Sequence, residues 1–279
     1  MRAMLRISGA GATHVGLVRD HNEDAAFVGP SCMLVADGVG GGAAGEVAAA
    51  TTAYVVAATA LARPDEDPLT VLADAVALAQ GQVALGARQR PERRGMATTL
   101  TAVATDGQRF ALAHIGDSRG YLFRGGELVR ITRDHTYVQD LVDQGSLTEQ
   151  EVPLHPWRNV VLRTVNGVDG PADVQLLDLV PGDRLLLASD GLTDFVSEPR
   201  IADLVGRKSD HDAVQALLAA ALGAGGRDNI TCVLATVAEG PRLVGDGTRL
   251  GALTDLANIV DPTAVRLPGP GSRPAGRSA

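Results

Sequence analysis

Strand-like runs joined in pairs by glycine-containing turns limit the possible folds of this chain more than any other feature. Residues 98–115 read TTLTAVAT, DGQ and RFALAHI, and Asp106-Gly107 is a strong signal for a two-residue turn. RGYLFRGGELVRIT has the same form with a Gly-Gly turn, and DVQLLDLV-PGD-RLLLASDG repeats it. Because parallel strands need a long crossover between them, these short connections predict antiparallel hairpins.

Two pairs of helices are predicted between these strands. Residues 43–62 and 69–89 are long segments rich in Ala, Val and Leu, and RPDEDP ends the first helix and starts the second. Residues 201–205 and 212–222 form a later pair. Helices in pairs and strands in meanders indicate an α+β architecture in which helix pairs cover antiparallel sheets.

The more polar segment 133–168 interrupts this pattern, and we interpret it as a flap over the main body. It contains a predicted short helix in HTYVQDLVDQG and a predicted helix start in which Ser146 and Glu149 form a capping box. We expect one domain over residues 1–240. The following segment, 241–279, ends in RLPGPGSRPAGRSA, a composition that favours a disordered tail.

Composition and charge exclude several classes of protein. The chain has 279 residues, a net charge of -8 and no basic stripe, which argues against a nucleic-acid partner. Segment 47–62 is mostly Ala and Thr and falls short of about 20 strongly apolar residues, so we expect no membrane partner and a cytoplasmic location. Cys32 and Cys232 lie in apolar runs and are expected to be buried free thiols.

Aspartates stand at the ends of several strongly apolar strands. Asp37 follows CMLVA, Asp190 follows RLLLAS, and Asp228 precedes NITCVLATV. Taken singly, each could belong to an ordinary turn. Together they would place several carboxylates at one edge if the strands are neighbours, and clustered carboxylates need cations between them. Because only oxygen ligands are present, Mg²⁺ or Mn²⁺ is favoured over zinc.

Two further motifs leave alternatives open. Arg19 lies just upstream of these acids and could form an ion pair or grip a phosphate. Residues 40–45 fit G-x-G-x-x-G, the fingerprint of a dinucleotide-binding oxidoreductase. The helix after this loop is followed by another helix instead of a parallel strand, and Asp37 and Glu46 would repel a pyrophosphate.

Seven stretches in a fixed order carry a resemblance to a known family. They are GLVRDHNEDA, LVADGVGGGAAGEVA, GMATTL, HIGDSRGYLFRGGEL, TRDHTYVQDLVDQG, LLLASDGLTDFVS and GGRDNITCVLATV. They resemble the metal-dependent protein phosphatases of type 2C, particularly the bacterial branch, and the resemblance covers about residues 5–239. It implies a four-layer αββα sandwich, with two antiparallel sheets flanked by helix pairs and a centre for two Mn²⁺ or Mg²⁺ ions, with room for a third.

The resemblance also implies a role for each matching site residue. Asp37 would bridge both metals and the Gly38 carbonyl would bind one, while Asp190 and Asp228 would hold the other. The remaining residues would act around them: Glu23 and Asp24 through metal-bound waters, Asn229 as support for Asp228, Arg19 on the substrate phosphate, and Asp117 and Asn159 on a third metal.

The implied activity is hydrolysis of phosphoserine and phosphothreonine by a metal-bridging hydroxide, without a phosphoenzyme. Phosphorylated proteins, such as a Ser/Thr kinase or its substrates, are the expected partners, and a monomer is expected. Val39 stands where eukaryotic members carry a histidine assigned as general acid, so that role is unassigned. A catalytically silent docking module of the same fold is a third alternative, although such a module has no need for clustered carboxylates.

Overall fold

Antiparallel strands form the centre of the protein, in a computed structural model that describes residues 4–39 and 44–265. The strands are β1 (Leu5–His14), β2 (Ala25–Val28), β3 (Cys32–Ala36), β4 (Gly38–Val39), β5 (Ala97–Thr98), β6 (Leu100–Thr105), β7 (Phe110–Ile115), β8 (Arg119–Arg124), β9 (Glu127–Arg130), β10 (Asp173–Leu177), β11 (Arg184–Ala188), β12 (Ile230–Glu239) and β13 (Thr248–Gly251). The helices are α1 (Gly45–Ala62), α2 (Pro68–Gln89), α3 (Tyr137–Asp143), α4 (Asp190–Thr193), α5 (Glu198–Arg207) and α6 (Asp210–Gly223).

These strands form two large sheets packed face to face. One sheet has the order β1-β12-β11-β8-β9, and the other has the order β10-β7-β6-β3-β2-β13. Helices α1 and α2 cover the second sheet, and α5 and α6 cover the first. The predicted αββα sandwich is therefore confirmed.

Alternation along the strands builds three hydrophobic layers. In β3, Met33 and Val35 point between the sheets, whereas Leu34 points toward the helix pair α1 and α2. In β11, Leu187 points between the sheets and Leu186 points toward α5 and α6. Because successive strand residues face opposite sides, a strand buried on both faces becomes a continuous apolar run, as the sequence shows.

Helices α1 and α2 are long and apolar enough to cross a membrane by length and composition alone. In the fold they instead cover a sheet, and 78% of the apolar window in α1 is buried inside the protein. A helix that is apolar all round is equally typical of the interior of a large domain.

The predicted hairpin over residues 173–191 is wrong. Strand β10 pairs with β7 in one sheet, whereas β11 pairs with β8 and β12 in the other. The Pro-Gly-Asp turn carries the chain across the sandwich, and the buried Asp183 carboxylate stabilises it by accepting the N–H of Val180 at 2.7 Å. Alternating hydrophobicity predicts both strands but does not specify which sheet each one joins.

The flap contains the short helix that the sequence predicts, α3, but Ser146 and Glu149 do not form the predicted capping box among the described residues. Ser146 lies in the turn after α3. Thr148 instead contacts Glu151: its N–H and its hydroxyl both donate to Glu151 Oε2, at 2.9 and 2.6 Å. Only a single 3-10 turn, Val152–Leu154, follows, and no side chain caps it.

The predicted end of the domain at residue 240 is too early. Strand β13 pairs with β2, and two 3-10 turns, Ala252–Thr254 and Leu256–Asn258, follow it. Leu253 is 1% exposed and Ile259 is 5% exposed, so part of this segment belongs to the core although its Leu243, Val244 and Leu256 are exposed. Its average composition concealed that pattern. The Pro/Gly-rich residues 266–279 lie outside the described residues.

Candidate metal centre

The register of the second sheet places two acidic residues side by side. Ala25 of β2 pairs with Ala36 of β3 in antiparallel fashion. Asp24 immediately precedes the first of these residues and Asp37 immediately follows the second. The two aspartates therefore extend from the same end of neighbouring strands, where a single site can contain both carboxyl groups.

The other sheet delivers further carboxylates in the same way. Ala188 of β11 pairs with Arg119 of β8 on one side and with Cys232 of β12 on the other. Asp190 therefore follows β11 at the end where β8 and β12 begin. Asp117 lies just before β8 and Asp228 just before β12.

The electrostatics show that the carboxyl groups from the two sheets form one cluster. Burial, followed by the charges of Asp24, Asp190, Asp117 and Asp228, raises the pKa of Asp37 well above its ordinary value. Burial and neighbouring aspartates likewise raise the pKa of Asp190. Burial is also the main cause that raises the pKa of Asp24 to about 6 and that of Asp117 to about 7. Charged forms of these groups repel one another unless a cation neutralises them.

Two threonines hold the backbone around Asp37. The Asp37 N–H donates to Thr99 Oγ1 at 3.0 Å, and its carbonyl accepts bonds from the Thr98 hydroxyl at 2.8 Å and the Thr99 N–H at 2.9 Å. Gly38 has no room for a side chain, because a Cβ there would lie 2.8 Å from the Glu23 carbonyl oxygen. The threonines belong to GMATTL, a matching stretch for which the sequence analysis named no role.

Asp24 is fully buried, and one of its carboxylate oxygens has a partner from the opposite sheet. The Ser189 hydroxyl donates to Asp24 Oδ2 at 2.8 Å. The other oxygen, Oδ1, has no hydrogen-bond partner among the described residues. Ser189 directly precedes Asp190 in the S-D-G motif, and that position could have indicated its role.

Asn229 organises the loop that carries the upstream acids. Its side-chain oxygen accepts the Glu23 N–H at 2.8 Å, and its side-chain nitrogen donates to the carbonyls of Val15 and His21, both at 2.9 Å. Its own N–H donates to Asp228 Oδ1 at 2.8 Å. Asn229 therefore contacts Asp228, as the resemblance implies, and also connects it to the Arg19–Asp24 segment.

Arg19 reaches the cluster from its exposed side. Its guanidinium forms an ion pair with Asp228 Oδ2 at 2.7 Å, and its side chain is 54% exposed. The ion-pair interpretation of Arg19 therefore holds in this structure. A guanidinium next to a carboxylate cluster and open to solvent also remains available to a phosphate.

The three histidines of the matching stretches differ in position. His21 contacts Glu23 Oε1 at 2.9 Å, and these two residues and Glu46 bring ligand atoms within 4.8 Å of one another. His114 and His135 are buried, with ring centroids 4.9 Å apart, and His135 Nδ1 accepts the Gly116 N–H at 3.0 Å. The last two rings therefore have structural partners in the fold.

A cavity of about 380 Å³ lies between the cluster and the flap. Asp117 and Asp190 line it from the body, and Asn159 and Arg158 line it from the flap. The structure thus places Asn159 in the same cavity as Asp117, the other residue that the resemblance assigns to a third metal. Asp194, which the sequence analysis did not single out, lines this cavity as well.

The glycine loop contributes little to the choice between alternatives. Residues 40–43, which carry most of the G-x-G-x-x-G match, lie outside the described residues. The helix that follows them, α1, leads into α2 and not into a parallel strand. This connectivity differs from that of a dinucleotide-binding βαβ unit.

The donor set fits hard divalent cations. The cluster offers carboxylate oxygens, the Gly38 carbonyl and a buried oxygen, Asp24 Oδ1, that lacks a hydrogen-bond partner among the described residues. Burial, followed by mutual repulsion, raises the pKa values of Asp37 and Asp190, and a cation would offset both effects by neutralising the charge. Oxygen-rich sites of this kind suit Mg²⁺ and Mn²⁺.

Comparison with known proteins identifies the family. The family model described as Protein phosphatase 2C matches residues 10–225. This chain belongs to the protein phosphatase 2C family. It is 41% identical over 241 residues to the serine/threonine protein phosphatase PstP of Mycobacterium tuberculosis, covering 85% of this chain but only 46% of that protein. It is 34% identical to the serine/threonine phosphatase stp of Listeria welshimeri, covering 80% of this chain and 92% of that protein.

A solved structure of the same family has a similar fold. The crystal structure of the catalytic domain of PstP in complex with two manganese ions matches with a TM-score of 0.77 at 40% identity. The match covers 84% of this chain and 100% of that domain. The chain spans less than half the length of the full PstP protein, so the similarity concerns the catalytic domain of that relative.

Proposed function

We propose that this chain is a metal-dependent protein phosphatase that hydrolyses phosphoserine and phosphothreonine. The observation that supports it best is the convergence of carboxylates from both sheets at one edge, with the Arg19 guanidinium paired to Asp228 beside them. Relatives named as serine/threonine phosphatases, one of them solved with two manganese ions, support the same proposal.

Each residue of the cluster has a role in this proposal. Asp37 and the Gly38 carbonyl would hold one cation, and Asp37, Asp190 and Asp228 the other. The surrounding residues would complete the site: Glu23 and Asp24 through water, Asp117 and Asn159 at a third position, and Arg19 on the phosphate. Bound Mn²⁺ or Mg²⁺ would supply Lewis-acid chemistry, lowering the pKa of water and neutralising charge on the phosphoryl group.

The protein's own residues would orient the substrate and its surroundings. Arg19 can exchange its bond with Asp228 for a bidentate contact with two phosphate oxygens. This contact orients the phosphate group and offsets the negative charge of its oxygens. Thr98 and Thr99 hold the backbone of Asp37 during this exchange. His114 and His135 are occupied by structural hydrogen bonds, so neither is proposed as the acid for the leaving group.

A metal-titrated assay tests the proposal. Wild-type protein should hydrolyse p-nitrophenyl phosphate and phosphoserine and phosphothreonine peptides only when Mn²⁺ or Mg²⁺ is added. Asp37→Asn and Asp190→Ala should each abolish this activity while circular dichroism shows an intact fold. Asp106→Asn is a matched control, because the Asp106 side chain lies in an Asp-Gly hairpin turn and bonds only to Gln108 and Arg109. Retained activity in both site variants would refute the proposal.

Substrates and partners follow from the same proposal. Phosphorylated proteins, including a Ser/Thr kinase or its targets, are the proposed substrates, and the cavity beneath the flap is where residues around the phosphate would lie. Phosphotyrosine peptides in the same assay provide the test of residue specificity. A cytoplasmic location and a monomeric state remain predictions.

A further inference from the structure

A segment that follows β12 wraps around one edge of the second sheet. We call residues 241–265 the strap; it contains β13 and the two 3-10 turns that follow. The strap lies beyond residues 10–225, which the family model matches. The composition of this part of the chain favours a disordered tail, but the structure shows ordered contacts there.

The far end of the strap is fastened to helix α1. The Thr51 hydroxyl donates to the Asn258 carbonyl at 3.2 Å and accepts the Val260 N–H at 3.1 Å. Ile259, between these two residues, is only 5% exposed and joins the core under α1. Both ends of this short stretch are therefore held by one buried helix residue.

The middle of the strap, where β13 ends, contacts Asp24 of the candidate metal centre directly. Gly251 pairs with Ala25 at the end of β13, and the next residue, Ala252, donates its N–H to the Asp24 carbonyl at 2.7 Å. Gly251 has a φ of 62°, and a Cβ built there would lie 2.1 Å from the Asp24 carbonyl oxygen. Only glycine allows the strap to approach Asp24 this closely.

Asp24 is thus held at two points. The strap fixes its backbone carbonyl, and Ser189 of the opposite sheet fixes Oδ2 of its side chain. The remaining oxygen, Oδ1, lacks a hydrogen-bond partner among the described residues, although Asp24 is fully buried. Two fixed points and one free oxygen are what a preorganised ligand for a cation or its water requires.

We propose that the strap positions Asp24 for the metal centre, with Gly251 and Ala252 as positioning residues that hold the Asp24 backbone. This inference rests on the proposed function, because it assigns the free Asp24 oxygen to a divalent cation or its bound water. The strap, which lies outside the residues that the family model matches, would thereby support the metal site.

Gly251→Ala tests this role. The added methyl group must displace the Asp24 carbonyl or detach the strap, so the dissociation constant for Mn²⁺, measured by isothermal titration calorimetry, should rise about tenfold or more, as is typical when support for a metal ligand is lost. At saturating Mn²⁺, kcat should recover most of its wild-type value, since the ligands themselves remain. A purely structural role would not separate metal affinity from kcat in this way.

Gly125→Ala is the matched control. Gly125 has a φ of 60°, close to that of Gly251, but a Cβ there would meet no atom within 4 Å. Both substitutions place alanine at a positive φ, and only the one at Gly251 reaches Asp24. Gly251 also has a ψ of -141°, which only glycine adopts readily, so Ala252→Pro, which keeps Gly251, tests the contact without that added backbone penalty. The control should therefore bind Mn²⁺ like the wild type.

A second variant removes the hydrogen bond while keeping Gly251, and the proline Cδ takes the place of the N–H, so the strap and the Asp24 carbonyl must separate. Ala252→Pro lacks the N–H that reaches Asp24, and proline is tolerated at the first position of a helical turn. It should weaken Mn²⁺ binding in the same direction. Amide hydrogen exchange of the metal-free protein should show faster exchange around residues 24–28 in both strap variants.

The outcomes separate the two proposals. If wild-type protein binds no Mn²⁺, the phosphatase proposal fails and the positioning role fails with it. If wild-type protein binds Mn²⁺ and both strap variants bind it equally tightly, the positioning role alone is refuted. If Gly125→Ala weakens binding as much as Gly251→Ala, backbone strain explains the effect and the positioning role is again refuted.

Discussion

His114 should make the stability of this protein sensitive to acid. Its ring is 3% exposed, its Nε2 lies 3.0 Å from the Arg133 carbonyl oxygen, and its Nδ1 lies 3.0 Å from the Thr101 hydroxyl. Because a carbonyl only accepts, Nε2 carries the proton and donates to Arg133. Nδ1 faces the Thr101 hydroxyl, whose single proton also lies within reach of the Ser118 carbonyl at 2.9 Å. The neutral ring therefore fits these neighbours without a buried charge.

Protonation of this ring is unfavourable in the folded state. Burial, reinforced by the nearby His135, lowers the pKa of His114 from 6.5 to about 4. As the pH falls, the unfolded chain binds this proton first, so the free energy of unfolding decreases between pH 6.5 and about 4. At about 1.4 kcal/mol per pH unit, this interval corresponds to about 3 kcal/mol, with full stability above pH 6.5.

Urea unfolding of wild type and His114→Gln, at a series of pH values in EDTA, isolates this contribution. The carboxylates are common to both proteins, so their titration largely cancels in the comparison. The free energy of unfolding of the wild type should fall by about 3 kcal/mol more than that of the variant as the pH is lowered from above 6.5 to below about 4. His211→Gln, on the exposed face of α6, is the matched control. Parallel losses in wild type and His114→Gln would refute the reasoning.

Further substitutions and reagents test other parts of the structure. Ser189→Ala removes the donor to Asp24 and should weaken Mn²⁺ binding about tenfold in calorimetry while leaving the fold intact. Asp183→Ala removes the acceptor of the Val180 N–H in the turn and the ion pair with the exposed Arg124 guanidinium, so urea unfolding should show a loss of about 1–2 kcal/mol. Cys32 and Cys232 are buried, which raises their pKa values to about 12, so a thiol reagent at neutral pH should label them only after unfolding.

Most secondary structure could be predicted because its signals are local. The hairpins β6–β7 and β8–β9 follow from glycine turns between apolar runs, and helices α1 and α2 follow from long segments separated by RPDEDP. The predicted burial of Cys32 and Cys232 is also confirmed. In each case a few neighbouring residues contain the information.

The errors occurred where a choice depended on distant residues. Strands β10 and β11 were both expected, but nothing in their alternating pattern distinguishes pairing with each other from pairing with β7 and β8. The strap shows the same limitation in another form. Leu253 and Ile259 become recognisable as core residues only when the edge of β2 and helix α1 are available to them.

The candidate site likewise has features that the local sequence predicts and features that depend on distant residues. Apolar runs with an aspartate at one end were enough to indicate Asp37, Asp190 and Asp228, and the family resemblance supplied their expected roles. That Asp24 lies beside Asp37 depends on strand register, and that Ser189 bonds to Asp24 depends on contact between residues 165 positions apart. A chain's local pattern sets which residues end a strand, but only the stacking of two sheets decides which strand ends meet. The local sequence pattern therefore indicates the carboxylates, whereas the hydrogen bonds that hold them follow only from the tertiary structure.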